Sequence, residues 1–167
     1  MSGLLALSVS SQPTPPTNDI DRDEGYTRVM TLGHGMIYDV MWHPRRDWLA
    51  VAASTGLRLV TPELEVIAVF PMIVQALDWS PDGAWLALQD DKDLWSIYKM
   101  DGLWLTRLFP DVLITQIEWH ELTGHASLYS GERAMRIVNM HTQEILAQFS
   151  DFDQIAWSPD QTRLSLW

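Results

Sequence analysis

The chain contains no cysteine, which removes disulfides, thiolate nucleophiles and cysteine zinc sites together. It is also poor in positive charge: 11 Lys and Arg stand against 22 Asp and Glu, a formal net charge of -11. Nucleic acid and anionic lipid both reward Lys and Arg, so neither is expected as a partner. No apolar run approaches the roughly 20 residues of a membrane helix, so helical membrane insertion is not expected either. There is no Gly-rich phosphate loop, and the serines have no His and Asp partners identifiable from sequence. Neither a cofactor nor a catalytic apparatus is expected.

Tryptophan, by contrast, is abundant, with nine in 167 residues. One of them opens "WSPDG" within "DWSPDGAWLAL", Asp78 to Leu88. Pro81 pre-sets φ for the second position of a type I turn, Asp82 suits the third, and Gly83 can take the left-handed conformation that follows. Apolar alternation on both sides, Val74, Leu77 and Trp79 before and Trp85, Leu86 and Leu88 after, makes this a β-hairpin with a three-residue loop.

The pattern recurs, and repeats take precedence over other fold readings. "VMWHPRRDWLAV" starts at Val40, "IEWHELTGHASL" at Ile117 and "IAWSPDQTRLSL" at Ile155. The leading tryptophans are Trp42, Trp79, Trp119 and Trp157, spaced 37, 40 and 38 residues apart. Two residues before each stands Val40, Leu77, Ile117 or Ile155; five before, Ile37, Val74, Ile114 or Phe152; nine after, Val51, Leu88, Leu128 or Leu166. Each full unit closes on an apolar strand ending in Phe70, Phe109 or Phe149. The tryptophans are expected to end first strands and pack between neighbouring sheets. In the second unit the expected strands are Ile73–Trp79, Trp85–Gln89, Leu94–Lys99 and Trp104–Phe109. The turn glycine occurs once; Arg46, Thr123 and Gln161 replace it elsewhere. A non-glycine residue in the left-handed region costs roughly 1–2 kcal/mol, so those three turns are expected to take another form.

Residues 1–26 differ in kind. "MSGLLALSVSS" is apolar and small, and "QPTPPTNDIDRDEG" is Pro-rich and acidic, like a linker. A disordered tail, a signal peptide and a signal peptide shortened by a late start codon are the competing readings. With no basic residue in front and a short apolar run, a plain tail is preferred, and with it a cytoplasmic location over a periplasmic or secreted one. "DIDRDEG", Asp19 to Gly25, has the alternating aspartates of a calcium loop. Its glycine comes one residue late and Met30 stands at the twelfth position, so an acidic linker is the better reading. Of the five histidines, His43 and His120 follow repeat tryptophans where other copies have Ser80 and Ser158, which makes them turn residues, not metal ligands.

A period near 40, four short strands per unit and a turn after an aromatic at the end of the first strand resemble the WD40-like β-propeller family. "WSPDG" at Trp79–Gly83, "WSPD" at Trp157–Asp160 and the dipeptide Gly33-His34 carry the resemblance, which covers about residues 27 to 167. No Trp-Asp dipeptide closes a third strand; the nearest is Trp95-Ser96. The family's hydrogen-bonded tetrad therefore cannot be assigned. The resemblance implies an all-β fold: a lone strand at Thr27–Leu32, about three complete four-stranded blades, and the first two strands of another. Propellers typically close with 4–8 blades. The expectation is thus an open arc, either a fragment of a longer propeller or a ring completed by self-association.

The implied function is a non-catalytic scaffold for a protein or peptide partner. The alternative is a propeller domain that gates or presents substrate for an enzyme domain, such as a hydrolase, missing from this chain. On such a fold, blade loops and first-strand starts converge on one face. Tyr38, Gln75, Thr115 and Asp153, each four residues before a repeat tryptophan, are the partner-binding candidates; otherwise they are ordinary strand residues.

Overall fold

The computed structural model describes residues 35–131 and 133–167. The expected strand Thr27–Leu32, Gly33-His34, Asp19–Gly25 and the 1–26 tail lie outside the described residues. Among the described residues the chain is all β, with no helix. Accordingly, no helix there is long and apolar enough to cross a membrane.

The first sheet is a meander of β1 (Ile37–Trp42), β2 (Leu49–Ala53), β3 (Gly56–Val60) and β4 (Val66–Phe70). The second comprises β5 (Ala76–Trp79), β6 (Trp85–Gln89), β7 (Trp95–Asp101) and β8 (Trp104–Leu108). The third holds β9 (Gln116–His120), β10 (His125–Tyr129), β11 (Ala134–Asn139) and β12 (Glu144–Ser150). β13 (Ile155–Trp157) and β14 (Leu164–Leu166) pair as a two-stranded fourth. Among the described residues all pairings are antiparallel and the sheets do not close on one another, so these residues form three four-stranded blades and a partial one in an open arrangement. In the second unit the first strand starts three residues later than expected, at Ala76, because Ile73–Gln75 form the approach to it. β6 has the expected limits.

Register explains how the sheets stack. Side chains alternate across a strand, and directly opposed residues share a face. Leu77 opposes Leu88 and Trp79 opposes Leu86, and these four bury against Ala50, Ala52, Leu57 and Leu59 of the first sheet. The two alanines leave room for the indole. The other face of the second sheet, with Trp85, Ile97 and Leu108, buries against Ala126, Leu128, Val138 and Met140 of the third. β5 lies against both β1 and β2, and Leu77 N–H donates to Asp39 Oδ2 across that gap at 2.8 Å. The exception is Trp42. It opposes Leu49 on the face turned away from the second sheet, where no described sheet packs, and it is 43% exposed against 6% for Trp79.

The hairpin turns share a purpose but not a geometry. In "SPDG", Gly83 has φ +72° and its N–H donates to Ser80 O at 2.8 Å. Ser80 Oγ donates to Asp82 Oδ1 and accepts from Trp85 N–H at 2.9 Å. The fourth unit corrects the expectation that a missing glycine changes the turn: Gln161 takes the left-handed form at φ +55°. Its turn is tied the same way, Arg163 N–H to Ser158 Oγ at 2.9 Å and Thr162 N–H to Asp160 Oδ1 at 3.2 Å. These contacts hold the Asp160 carboxyl below its ordinary 3.8, the Ser158 hydroxyl contributing most. The other two turns do depart. In the third unit the left-handed residue is Gly124, one later, at φ +67°. In the first, His43 Nδ1 accepts from Arg45 N–H at 3.0 Å and Arg46 N–H at 3.1 Å.

Gly83 is constrained twice. A Cβ there would lie 2.3 Å from Cε1 of His43, a ring that is buried and anchored by the two backbone donors. Gly102 also has a positive φ, +61°, but open space around it. Gly102→Ala should therefore cost only the left-handed strain, roughly 1–2 kcal/mol, and Gly83→Ala distinctly more. Urea unfolding of both variants checks this; equal losses would show that the His43 contact is unimportant.

Candidate functional site at the strand-entry end

The chain enters every first strand at the same end of its sheet. There the approach to the strand meets the end of the second strand: Ser54 N–H donates to Met36 O, Gln75 N–H to Gln89 O, Thr115 N–H to Tyr129 O and Asp153 N–H to Trp167 O, each at 2.8 Å. The β2–β3, β6–β7 and β10–β11 connections lie at this end as well.

All four sequence-derived candidates sit here and all are exposed. Gln75, Thr115 and Asp153 occupy equivalent places in three units, through the shared backbone bond. Tyr38 differs, because the β1–β2 register shifts between Ile37 and Asp39 and leaves Tyr38 in a bulge. Asp153 pairs with Arg133 at 2.8 Å, both side chains well exposed, a geometry that contributes little to stability. Among the described residues no hydrogen bond or ion pair joins any two of the four.

Sequence reasoning missed a second row. Six residues before the repeat tryptophans stand Met36, Ile73 and Leu113, which are 62%, 65% and 69% exposed. The residue one further on is Ile37, Val74 or Ile114, and the last two are 1% exposed. Alternation was the available signal: if the position five before the tryptophan points inward, its neighbour points out.

The opposite end of the sheets is given to interlocking. The His43 ring lies 4.6 Å from that of Trp79, and His120 lies 4.4 Å from Trp157, edge-on. Each turn histidine is thus covered by the tryptophan of the next unit. Between the second and third sheets the turn residue is Ser80, which lacks a ring. A cleft of about 40 Å³ remains there, bordered by Ser80, Trp85, Trp119, His120 and Met140. That is room for water, far below the roughly 300–1,000 Å³ of small-molecule sites.

Polar closure varies in the same way. Trp119 Nε1–H donates to Asp78 Oδ2 of the preceding unit at 2.9 Å. Trp79 has no such partner, because Met41 stands where Asp78 does. Trp157 has none either; Glu118, in that place, accepts from the Tyr129 hydroxyl at 3.0 Å. Burial, then Glu118, pushes the Tyr129 pKa up to about 12. Burial raises Asp78 above 3.8, opposed by the Trp119 indole N–H and aided by Asp39. Burial lowers His43 and His120 below 6.5, with the Arg46 guanidinium adding to the effect on His43.

The comparisons with known proteins agree with this geometry. Residues 26–59 match the family described as WD domain, G-beta repeat. That match spans one repeat's length, and the sheets described above have the fold of a β-propeller. Among solved structures, the chain superposes on the β-propeller domain of Cps50 (Swd1) from Myceliophteria thermophila with a TM-score of 0.55 at 12% identity, covering 79% of the chain and 50% of that domain. U3-55K and the RRP9 WD40 repeats each give 0.51 at 18% identity and 72% coverage, with 41% and 40% of those chains covered. The chain thus spans half or less of the length of these three solved structures. No curated protein matches the sequence.

Two predictions follow from the interlock. Asp78→Ala strands the Trp119 N–H in a half-buried place and should cost roughly 1–3 kcal/mol. Asp78→Asn keeps the acceptor without the buried charge and should equal or exceed the parent at pH 7; a loss like that of alanine would refute the assignment. His43 Nδ1 faces two N–H donors and must be unprotonated to accept them. Since its folded pKa lies below 6.5, the unfolded chain binds the proton first and stability falls as pH drops below that value. Melting temperatures across pH 5 to 8 should show that fall; a flat profile would contradict it.

Proposed function

We propose that this WD40-like chain is a non-catalytic scaffold that binds a protein or peptide at the strand-entry end. The observation that supports the reading is the repeated placement of exposed Tyr38, Gln75, Thr115 and Asp153 there, while the opposite end is occupied by interlocking turns. The side chains in the entry row make few contacts that the fold requires, so they are free to vary with a partner. The test is affinity capture by the full chain and by a Gln75→Arg/Thr115→Arg variant, quantified by mass spectrometry. Partners held by the parent and lost by the variant are expected; capture that ignores the variant would overturn the reading.

The exposed face of β1 supports self-association as a further part of this proposal. Val40 and Trp42, 39% and 43% exposed, occupy the positions by which Leu77 and Trp79 bury against the first sheet. Leu49, Val51 and Val60 on the same face are already covered, so a second copy would meet this face along β1. Sedimentation at several concentrations should show association, and a compact monomer at all of them would contradict it.

A further inference from the structure

Nothing in the fold requires Met36, Ile73 and Leu113 to be apolar. Their neighbours Ile37, Val74 and Ile114 point inward and make the core contacts, whereas these three face water. Single exposed apolar residues are ordinary on protein surfaces. Recurrence at one repeat position in three consecutive units is not, because it sets them at one end of the molecule, one per sheet. In the fourth unit the same position is Asp151.

The charge at this end is also one-sided. The β6–β7 connection carries exposed Asp91 and Asp93 around a single Lys92. Asp90 Oδ1 fixes this connection by accepting from the N–H groups of Lys92 at 2.8 Å and Leu94 at 3.0 Å. Asp111 and Asp151 are exposed on the approaches to the third and fourth sheets. Arg133 is engaged by Asp153. The whole chain carries a formal charge of -11.

We infer that the strand-entry end takes a basic peptide segment, whose apolar side chains rest on Met36, Ile73 and Leu113 and whose Lys or Arg residues face Asp91 and Asp93. The inference rests on the scaffold reading and adds the chemistry of the partner. Apolar contacts supply most of the affinity, and the carboxylates supply selection and faster association, which salt screens.

Selection of a displayed library of short random peptides on the full chain tests this, followed by fluorescence polarisation of the selected peptides. Enriched sequences should combine apolar residues with Lys or Arg. Ile73→Ser/Leu113→Ser should raise Kd about tenfold or more. Asp91→Asn/Asp93→Asn should raise it less, by a factor that shrinks as salt is added. Val66→Ser/Val69→Ser, on the outer strand β4 and also exposed, should leave Kd unchanged. Exposed substitutions of this kind seldom unfold a protein, and circular dichroism verifies that. Acidic or wholly polar selected sequences, or peptides whose binding ignores the Ile73/Leu113 change, overturn this inference and leave the scaffold reading intact. Failure to enrich any peptide overturns this inference, whereas the scaffold reading stands or falls on the capture experiment with the Gln75→Arg/Thr115→Arg variant.

Discussion

A four-stranded antiparallel sheet with two apolar faces cannot stand alone in water; it must bury each face against another sheet. That constraint governs this chain. β6 is buried along nearly its whole length, because its sheet lies between the first and the third. The repeat of about 40 residues is the length of one sheet plus its connections. Tryptophan recurs because a large flat side chain at the end of a first strand fills the gap to the preceding sheet, as Trp79 does and Trp42, at the start of the described stack, does not.

The interlock depends on pairs, so no repeat is independent of the one before it. Trp79 needs the small Ala50 and Ala52 across from it, and His43 needs Gly83 to have no Cβ. Changing one turn residue changes the interface: histidine at 43 and 120 meets a tryptophan ring, whereas serine at 80 leaves a cleft. The acceptor before each repeat tryptophan varies likewise, so that Trp119 is hydrogen-bonded and Trp79 and Trp157 are not. With one end committed to this locking, the proposed partner is placed at the strand-entry end.

Much of the fold was legible in the sequence, because period, turn chemistry and alternation are local signals. The hairpin at Ser80–Gly83 and the limits of β6 could be read residue by residue. Trp42 could not, since its exposure depends on which sheets flank the first one and not on its own neighbours. Gln161 was misread because the cost of a left-handed residue was weighed without the Ser158 and Asp160 contacts that hold the turn. Tyr38, Gln75, Thr115 and Asp153 were placed by repeat equivalence, but the bulge at Tyr38 comes from pairing with β2 and has no sequence mark. The Asp78–Trp119 bond joins residues 41 apart in sequence, beyond any local pattern.

The central claim is that stacking of adjacent sheets on the repeat tryptophans holds the chain together. It is tested most directly by comparing Trp79→Ala with Trp42→Ala in equilibrium urea unfolding. Trp79 is buried between two sheets and Trp42 is not. The account predicts a loss of about 3–5 kcal/mol for Trp79 and about 1 kcal/mol or less for Trp42. Equal losses, or a larger one at Trp42, would contradict it.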